Sequence, residues 1–233
     1  MKKLLLMFTV IIGLMPSAEV NAASLRFAKQ ACKKELLNNP PQIEIKYNYG
    51  ELKINHEKTA EQLVEMMDEM YPLKVTHKLN GLTSLSPYTI VESNIAGTGV
   101  SGYRCYYPQK VSVIIGYEPT VYISNDLKKD TCRYDVTMRH EQTHLDIGYL
   151  SLNKFLQTVK EEFPKIVDKV GVKVLPASSK ITADEASTEL NDKYRQRMGK
   201  LFDLFVKYMT NQQMKIDSVA GYEFESSLCK SDS

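Results

Sequence analysis

The order in which periodic segments follow one another is the feature that most constrains the fold of this chain. Between residues 43 and 49 apolar and polar residues alternate, which is the period of a half-buried strand, and further strand-like segments and turns fill residues 73–122. Beyond them the pattern becomes helical, with long helices predicted over 131–163 and 182–213. Strands followed by helices predict an α+β fold, in which a strand-rich N-terminal half packs on a helical C-terminal half.

Local signals also mark the ends of helices. Thr59 and Gln62 have the spacing of a capping box and begin a helix that stops before Pro72. The first long helix is predicted to end at Pro164, because proline has no backbone N–H to continue the hydrogen-bond ladder.

The beginning of the chain has the features of a secretory signal peptide. Two lysines precede an apolar run over residues 4–15, and Ala22 ends a tract that suits cleavage. We therefore predict a signal peptide over 1–22 and one α+β domain over 23–233. The apolar run is too short to span a membrane, and no later segment approaches the length required. The mature protein is predicted to be exported, to the periplasm or the external medium, with no transmembrane segment.

The distribution of charge argues against several classes of partner. The formal net charge is +2, and 30 lysines and arginines are scattered among 28 acidic residues. Without a basic cluster, the chain is not predicted to bind nucleic acid or an anionic membrane surface.

Four cysteines lie after the predicted cleavage site, and an even number in an exported protein favours disulfides. Three pairings are possible. We favour Cys105–Cys132, which ties a strand to the start of a helix, and Cys32–Cys229, which joins the two ends of the domain. A zinc site made of these cysteines is the alternative, although no C-x-x-C spacing is present.

One short motif indicates chemistry. His140 and His144 are four residues apart in the first long predicted helix, so their imidazoles project from one face and can bind the same zinc ion. Glu141 follows the first histidine, where it can act as a general base on water. Thr137 and Gly148 lie on the histidine side and are small, which leaves room for a metal and a substrate chain.

Two alternatives to a catalytic zinc site remain open for this motif. The histidines are ordinary surface residues of an amphipathic helix in one, and they bind zinc without any peptidase chemistry in the other.

The third metal ligand is not specified by the motif. The longer metzincin pattern requires glycine and histidine where this chain has Ile147 and Leu150, so that subclass is excluded. The remaining histidines, His56 and His77, lie in the strand-rich half and are interpreted as surface or core residues. Glutamates 185 and 189 of the second long helix are at suitable sequence distances, but the apolar stripe of that helix faces away from both.

The chain resembles a bacterial family of predicted secreted zinc-dependent proteases, which is a zincin-like domain family of unknown function. The resemblance covers about residues 47–223 and is carried, in order along the chain, by Tyr47 and by residues 59–63, 104–105, 111–113, 117–119 and 139–144. It implies a zincin-like domain with bound Zn²⁺ and peptidase activity.

The family has a C-terminal tract of the form Tyr-Asp-x-x-Thr-x-His-Gly, which corresponds to residues 216–223 here. Asp217 matches this tract, whereas Tyr222 stands where the family has histidine. Glu223 is our predicted third zinc ligand, with Asp217 as the alternative carboxylate. Tyr222 is then a weak ligand or a proton donor to the oxyanion, or else its presence reduces activity.

These observations predict an exported zinc metallopeptidase that acts on a peptide or protein substrate, with His140 and His144 as ligands and Glu141 as general base. The strand over residues 111–117 is predicted to pair with an extended substrate if it lies at a sheet edge. Two alternatives are a zinc-stabilised binding or inhibitory module and a disulfide-stabilised envelope interaction protein without metal.

Overall fold

A computed structural model describes residues 22–70 and 78–229 and confirms the predicted α+β fold. The strands lie mainly in the N-terminal half and the long helices in the C-terminal half. The elements in chain order are α1 (Ala22–Asn38), β1 (Gln42–Asn48), β2 (Lys53–Asn55), α2 (Ala60–Met70), β3 (Gly81–Ser84), β4 (Pro87–Val100), β5 (Tyr103–Tyr117), β6 (Thr120–Ile123), α3 (Cys132–Val170), β7 (Lys173–Pro176), α4 (Ala183–Ile216) and α5 (Val219–Ser227). The predicted signal peptide, apart from Ala22, and His77 lie outside the described residues.

The strands form two sheets. In the larger sheet β5 is central, with β1 parallel on one side, and β4 and the short β7 antiparallel to it. Residues 111–117 belong to this central strand, so the condition for their pairing with a substrate is not met. The smaller sheet has the order β2-β6-β3, and β3 is one of its edges.

The main hydrophobic core lies between the larger sheet and helices α3 and α4. The alternating residues Val111, Val113 and Ile115 of β5 are fully buried against this helical layer. Phe163 of α3 and Tyr194 of α4 are also completely buried there. Burial of each large side chain stabilises the fold by about 1.5–3 kcal/mol, and this packing fixes where the two long helices lie.

Helix α3 continues through Pro164 to Val170, so the predicted end at the proline is wrong. Pro164 is exposed, whereas Phe163 and Val167 are buried in the core. The backbone carbonyl that loses its partner one turn earlier therefore lies on the solvent side of the helix, where water can satisfy it. The helix ends instead at Gly171, which adopts a positive φ of 63°.

The predicted capping box of α2 is confirmed. The Thr59 N–H donates to Gln62 Oε1 at 3.0 Å, and the Gln62 N–H donates to Thr59 Oγ1 at 3.3 Å. A second capping box begins α4, where Thr182 and Glu185 bond reciprocally. Glu185, considered above as a metal ligand, is therefore a helix cap. Glu189 forms ion pairs with Lys173 and Lys193.

All four cysteines form disulfides as predicted, but the predicted pairing is wrong. The bonds are Cys32–Cys105 and Cys132–Cys229. Helix α1 lies beside β5, which brings its cysteine to the strand. Helix α4 runs antiparallel to α3 and so returns the C-terminal residues to the start of α3.

The small size of Gly148 allows close packing, rather than leaving room for a metal and a substrate chain as predicted. A Cβ atom there would lie 2.5 Å from Leu85 Cδ1, so glycine allows Leu85 to pack directly on α3.

Within residues 22–70 and 78–229 no helix is sufficiently long and apolar to cross a membrane.

Candidate metal centre

Helix α3 presents the three motif residues on its inner side. His140, Glu141 and His144 are 6%, 3% and 7% exposed, because the ends of α4 and α5 cover this part of the helix. The spacing of four residues brings the two imidazoles together, and their Nε2 atoms are 3.1 Å apart. Neither histidine is an ordinary surface residue.

Asp217 completes a group of three potential ligands. It is the C-cap residue of α4, and its Oδ1 lies 3.1 Å from His140 Nε2 and 3.0 Å from His144 Nε2. A tetrahedral zinc ion with ligands at about 2.0–2.1 Å has ligand atoms about 3.3 Å apart, close to these three distances. Two imidazoles and one carboxylate are also a donor set that suits zinc. The residues present therefore fit a metal ion of this kind.

Two outer residues orient the imidazoles. Glu225 of α5 accepts a hydrogen bond from His140 Nδ1 at 2.8 Å. Gln213 of α4 contacts His144 twice: its Oε1 accepts from Nδ1, and its Nε2 donates to the backbone carbonyl at 3.0 Å. With each Nδ1–H engaged in this way, each Nε2 is directed at the shared centre, where it can bind a metal ion once its proton is lost.

Glu141 lies between the helix and the edge strand of the smaller sheet. The Thr83 hydroxyl of β3 donates to Glu141 Oε2 at 2.7 Å. A Cβ atom on Gly81 would collide with Glu141 Oε1, so glycine at the start of β3 allows the carboxyl group to fit. Burial raises the pKa of Glu141, although the neighbouring histidines act in the opposite direction. A raised pKa favours a group that exchanges protons near neutral pH.

Tyr222 closes the other side of the group. Its ring stacks on His140 with centroids 5.3 Å apart, and its hydroxyl donates to Asp217 Oδ1 at 3.1 Å. Burial and the Asp217 charge raise the pKa of Tyr222 above its ordinary value, so the hydroxyl keeps its proton.

An open cleft of about 670 Å³ leads to these residues. His140, Glu141 and Tyr222 line it, and so does the predicted small residue Thr137. Its volume lies in the range of about 300–1,000 Å³ that is usual for ligand sites in proteins. The proposed base and one potential ligand therefore face space that a substrate can enter.

The carboxylate and the imidazoles of the centre shift the pKa of one another. Burial would raise the pKa of Asp217, but hydrogen bonds from the two histidines outweigh burial and lower it. Burial likewise would lower the pKa of His140, but the Asp217 bond and the charges of Glu141 and Glu225 raise it to about 9. The pKa of His144 is raised against burial for the same reason, chiefly by Asp217.

These shifts predict that zinc stabilises the protein more at pH 8 than at pH 5. In the metal-free protein, the raised pKa of His140 contributes stability that is complete below about pH 6.5 and is lost as the pH rises towards 9. Zinc must displace this proton, so its affinity increases by about tenfold per pH unit for each proton released. Calorimetry with and without zinc chloride should show a Tm increase that grows with pH. The His144→Ala variant is the control, and equal increases in the parent at both pH values would contradict the prediction.

The structure places Asp217 beside the histidines rather than Glu223, the predicted third ligand. Tyr222 and Glu223 are adjacent on α5 and point in directions about 100° apart, so the tyrosine faces the centre while the Glu223 side chain is exposed at the cleft. His56 stacks on Tyr134 with centroids 6.1 Å apart and is not part of the group. Sequence reasoning missed Thr83, Gln213 and Glu225, because nothing local distinguishes them from other polar residues.

Comparisons of the chain with family models, curated proteins and solved structures find no match. The function must therefore be inferred from the residues of the site.

Proposed function

We propose that this protein is an exported zinc metallopeptidase. The observation that carries the proposal is the convergence of His140, His144 and Asp217 beside Glu141 at the end of an open cleft. Two nitrogens and one carboxylate oxygen would hold zinc and leave a fourth position for catalysis. The two disulfides support export, because such bonds persist in oxidising compartments.

Zinc, when bound, supplies a Lewis acid that lowers the pKa of water and polarises a carbonyl group. The remaining chemistry belongs to side chains of this protein. Glu141 is the general base: it takes a proton from the water that attacks the peptide carbonyl carbon. It then returns that proton to the amine nitrogen as the carbon–nitrogen bond breaks. The Thr83 hydroxyl holds the carboxyl group in position for both transfers.

Tyr222 is positioned to assist the same reaction. Its hydroxyl remains protonated, and its ring is held against His140 at the cleft. We assign it the role of a hydrogen-bond donor to the carbonyl oxygen as negative charge develops there. The substitution of tyrosine for the histidine of the resembled family is then compatible with activity, because Asp217 provides the third ligand.

A peptide library tests the proposal directly. The purified protein should cleave a subset of peptides, as detected by mass spectrometry, and lose this activity after treatment with 1,10-phenanthroline. Activity should return when zinc is added to the stripped protein. A zinc-loaded protein that leaves every peptide intact would contradict the proposed peptidase activity.

A zinc-stabilised binding module is the second candidate. The deep burial of Glu141 and both histidines favours it, because burial restricts access to the fourth coordination position that a catalytic zinc site must keep open. This candidate predicts zinc binding and thermal stabilisation in the same experiment, without hydrolysis.

A further inference from the structure

Helix α5 is held in place with little help from the hydrophobic core. It has nine residues, and none of its described side chains is fully buried. Phe224, its largest apolar residue, is 66% exposed. Helices of this length are marginal in water unless other parts of the protein hold them. Its position therefore depends on a small number of specific contacts.

Those contacts join α5 to the first turns of α3. Tyr222 and Glu225 are three residues apart and share the face that meets His140. Just beyond the helix, Cys229 forms a disulfide with Cys132, the first residue of α3. The noncovalent contacts thus join α5 to His140 of the candidate metal centre. The disulfide fixes the C-terminal end of α5 beside that centre.

We infer that Glu225 is a positioning residue for His140, and that the Cys132–Cys229 disulfide holds α5 so that Glu225 reaches it. The inference rests on the zinc site of the proposed function but not on peptide hydrolysis. Glu225 acts through the imidazole: its carboxylate accepts the Nδ1–H at 2.8 Å and so directs Nε2 to the metal. Loss of such an outer partner typically lowers metal affinity by about 10–100-fold.

The two disulfides differ in solvent exposure, so a reductant can open the Cys132–Cys229 bond selectively. Cys32 and Cys105 are completely buried, whereas Cys132 and Cys229 are partly exposed to solvent. A dithiol reductant would transfer two electrons and two protons to the exposed bond, giving two protein thiols and a cyclic disulfide of the reductant. Helix α5 is then held covalently only through its connection to α4, so its C-terminal turn is freed and Glu225 is released from His140. The reverse exchange completes the zinc site: a disulfide-containing oxidant takes two electrons and two protons from the Cys132 and Cys229 thiols, which form the Cys132–Cys229 bond while the oxidant leaves as two thiols.

Zinc affinity, measured by competition with a chromogenic chelator, tests both parts. Glu225→Ala should lower affinity by about 10–100-fold, and Glu225→Gln should recover part of the loss because its amide oxygen can still accept the hydrogen bond. The double variant Cys132→Ser/Cys229→Ser should lose about as much affinity as Glu225→Ala. Adding Glu225→Ala to that double variant should cost little more, since the contact is already broken. Phe224→Ala is the control and should bind zinc like the parent.

Two further readouts separate positioning from a general loss of structure. Circular dichroism should show that the long helices α3 and α4 stay folded in all variants, with a loss of helix no larger than the nine residues of α5 in the double cysteine variant. Co²⁺ substituted for zinc should show a changed visible spectrum in Glu225→Ala that Glu225→Gln partly restores. Mild reduction of the parent should reproduce the affinity of the double cysteine variant.

Parent-like zinc affinity in Glu225→Ala would overturn the positioning role. The same result in the double cysteine variant would overturn the role of the disulfide. A parent that binds zinc but cleaves no peptide would end the peptidase proposal and leave this test fully informative.

Discussion

Replacement of Asp217 by alanine is expected to abolish tight zinc binding, whereas replacement of Glu223 by alanine is expected to leave it intact. Asp217 Oδ1 lies within 3.1 Å of both imidazole Nε2 atoms, and the Glu223 side chain is exposed. Removal of a direct ligand should cost more than the roughly 10–100-fold that follows loss of an outer partner. The two variants each remove one carboxylate, and only Asp217 lies against the two imidazoles, so their difference isolates direct contact with the metal.

The measurement is zinc content per chain by elemental mass spectrometry, together with an affinity from chelator competition. The parent should contain about one zinc, because two imidazoles and one carboxylate form one zinc site, and Glu223→Ala should match it. Asp217→Asn should bind weakly, because its amide oxygen is a neutral and poorer ligand. Zinc retained in Asp217→Ala but lost in Glu223→Ala would reverse the assignment and restore the ligand predicted from the family resemblance.

Features that depend on neighbouring residues could be predicted from the sequence. The motif histidines are one helical turn apart, so a single periodic segment was sufficient to place them together. The Thr59 and Gln62 capping box is equally local and was predicted correctly. The succession of strand and helix periods predicted the α+β fold for the same reason.

Features that depend on how α3 and α4 pack could not be predicted. Asp217 is 73 residues from His144, and it reaches the site because α4 runs back along α3. The same return path brings Cys229 to Cys132 instead of to Cys32. The prediction based on Pro164 ended α3 too early. The helix continues because the burial of Phe163 and Val167 in the core outweighs one missing hydrogen bond. In each case a tertiary contact decided between alternatives that the local sequence left equal.

The exchange Glu141→Gln is expected to remove nearly all hydrolysis while zinc binding persists. General base catalysis contributes about 10²–10⁴-fold to rate, and an amide cannot take the proton from water. Glutamine has the same shape and can still accept the Thr83 hydrogen bond through Oε1, so the site should remain assembled. Cleavage of a peptide from the library and zinc content should be measured together. Glu223→Gln is the matched control and should retain both.

The melting temperature of the metal-free protein provides an independent test of whether Glu141 serves catalysis rather than the structure. Because burial raises the pKa of this group in the folded metal-free protein, its ionisation opposes folding as the pH rises above the value of an unfolded glutamate. The neutral amide avoids this cost, so metal-free Glu141→Gln should melt at a temperature equal to or above that of the parent at pH 7, and the difference should shrink at pH 4. A catalytic group that destabilises the fold in which it is buried is expected when selection acts on activity. A variant that lost hydrolysis and also melted well below the parent would instead indicate that Glu141 supports the structure through its bond to Thr83, which would favour the non-catalytic zinc module.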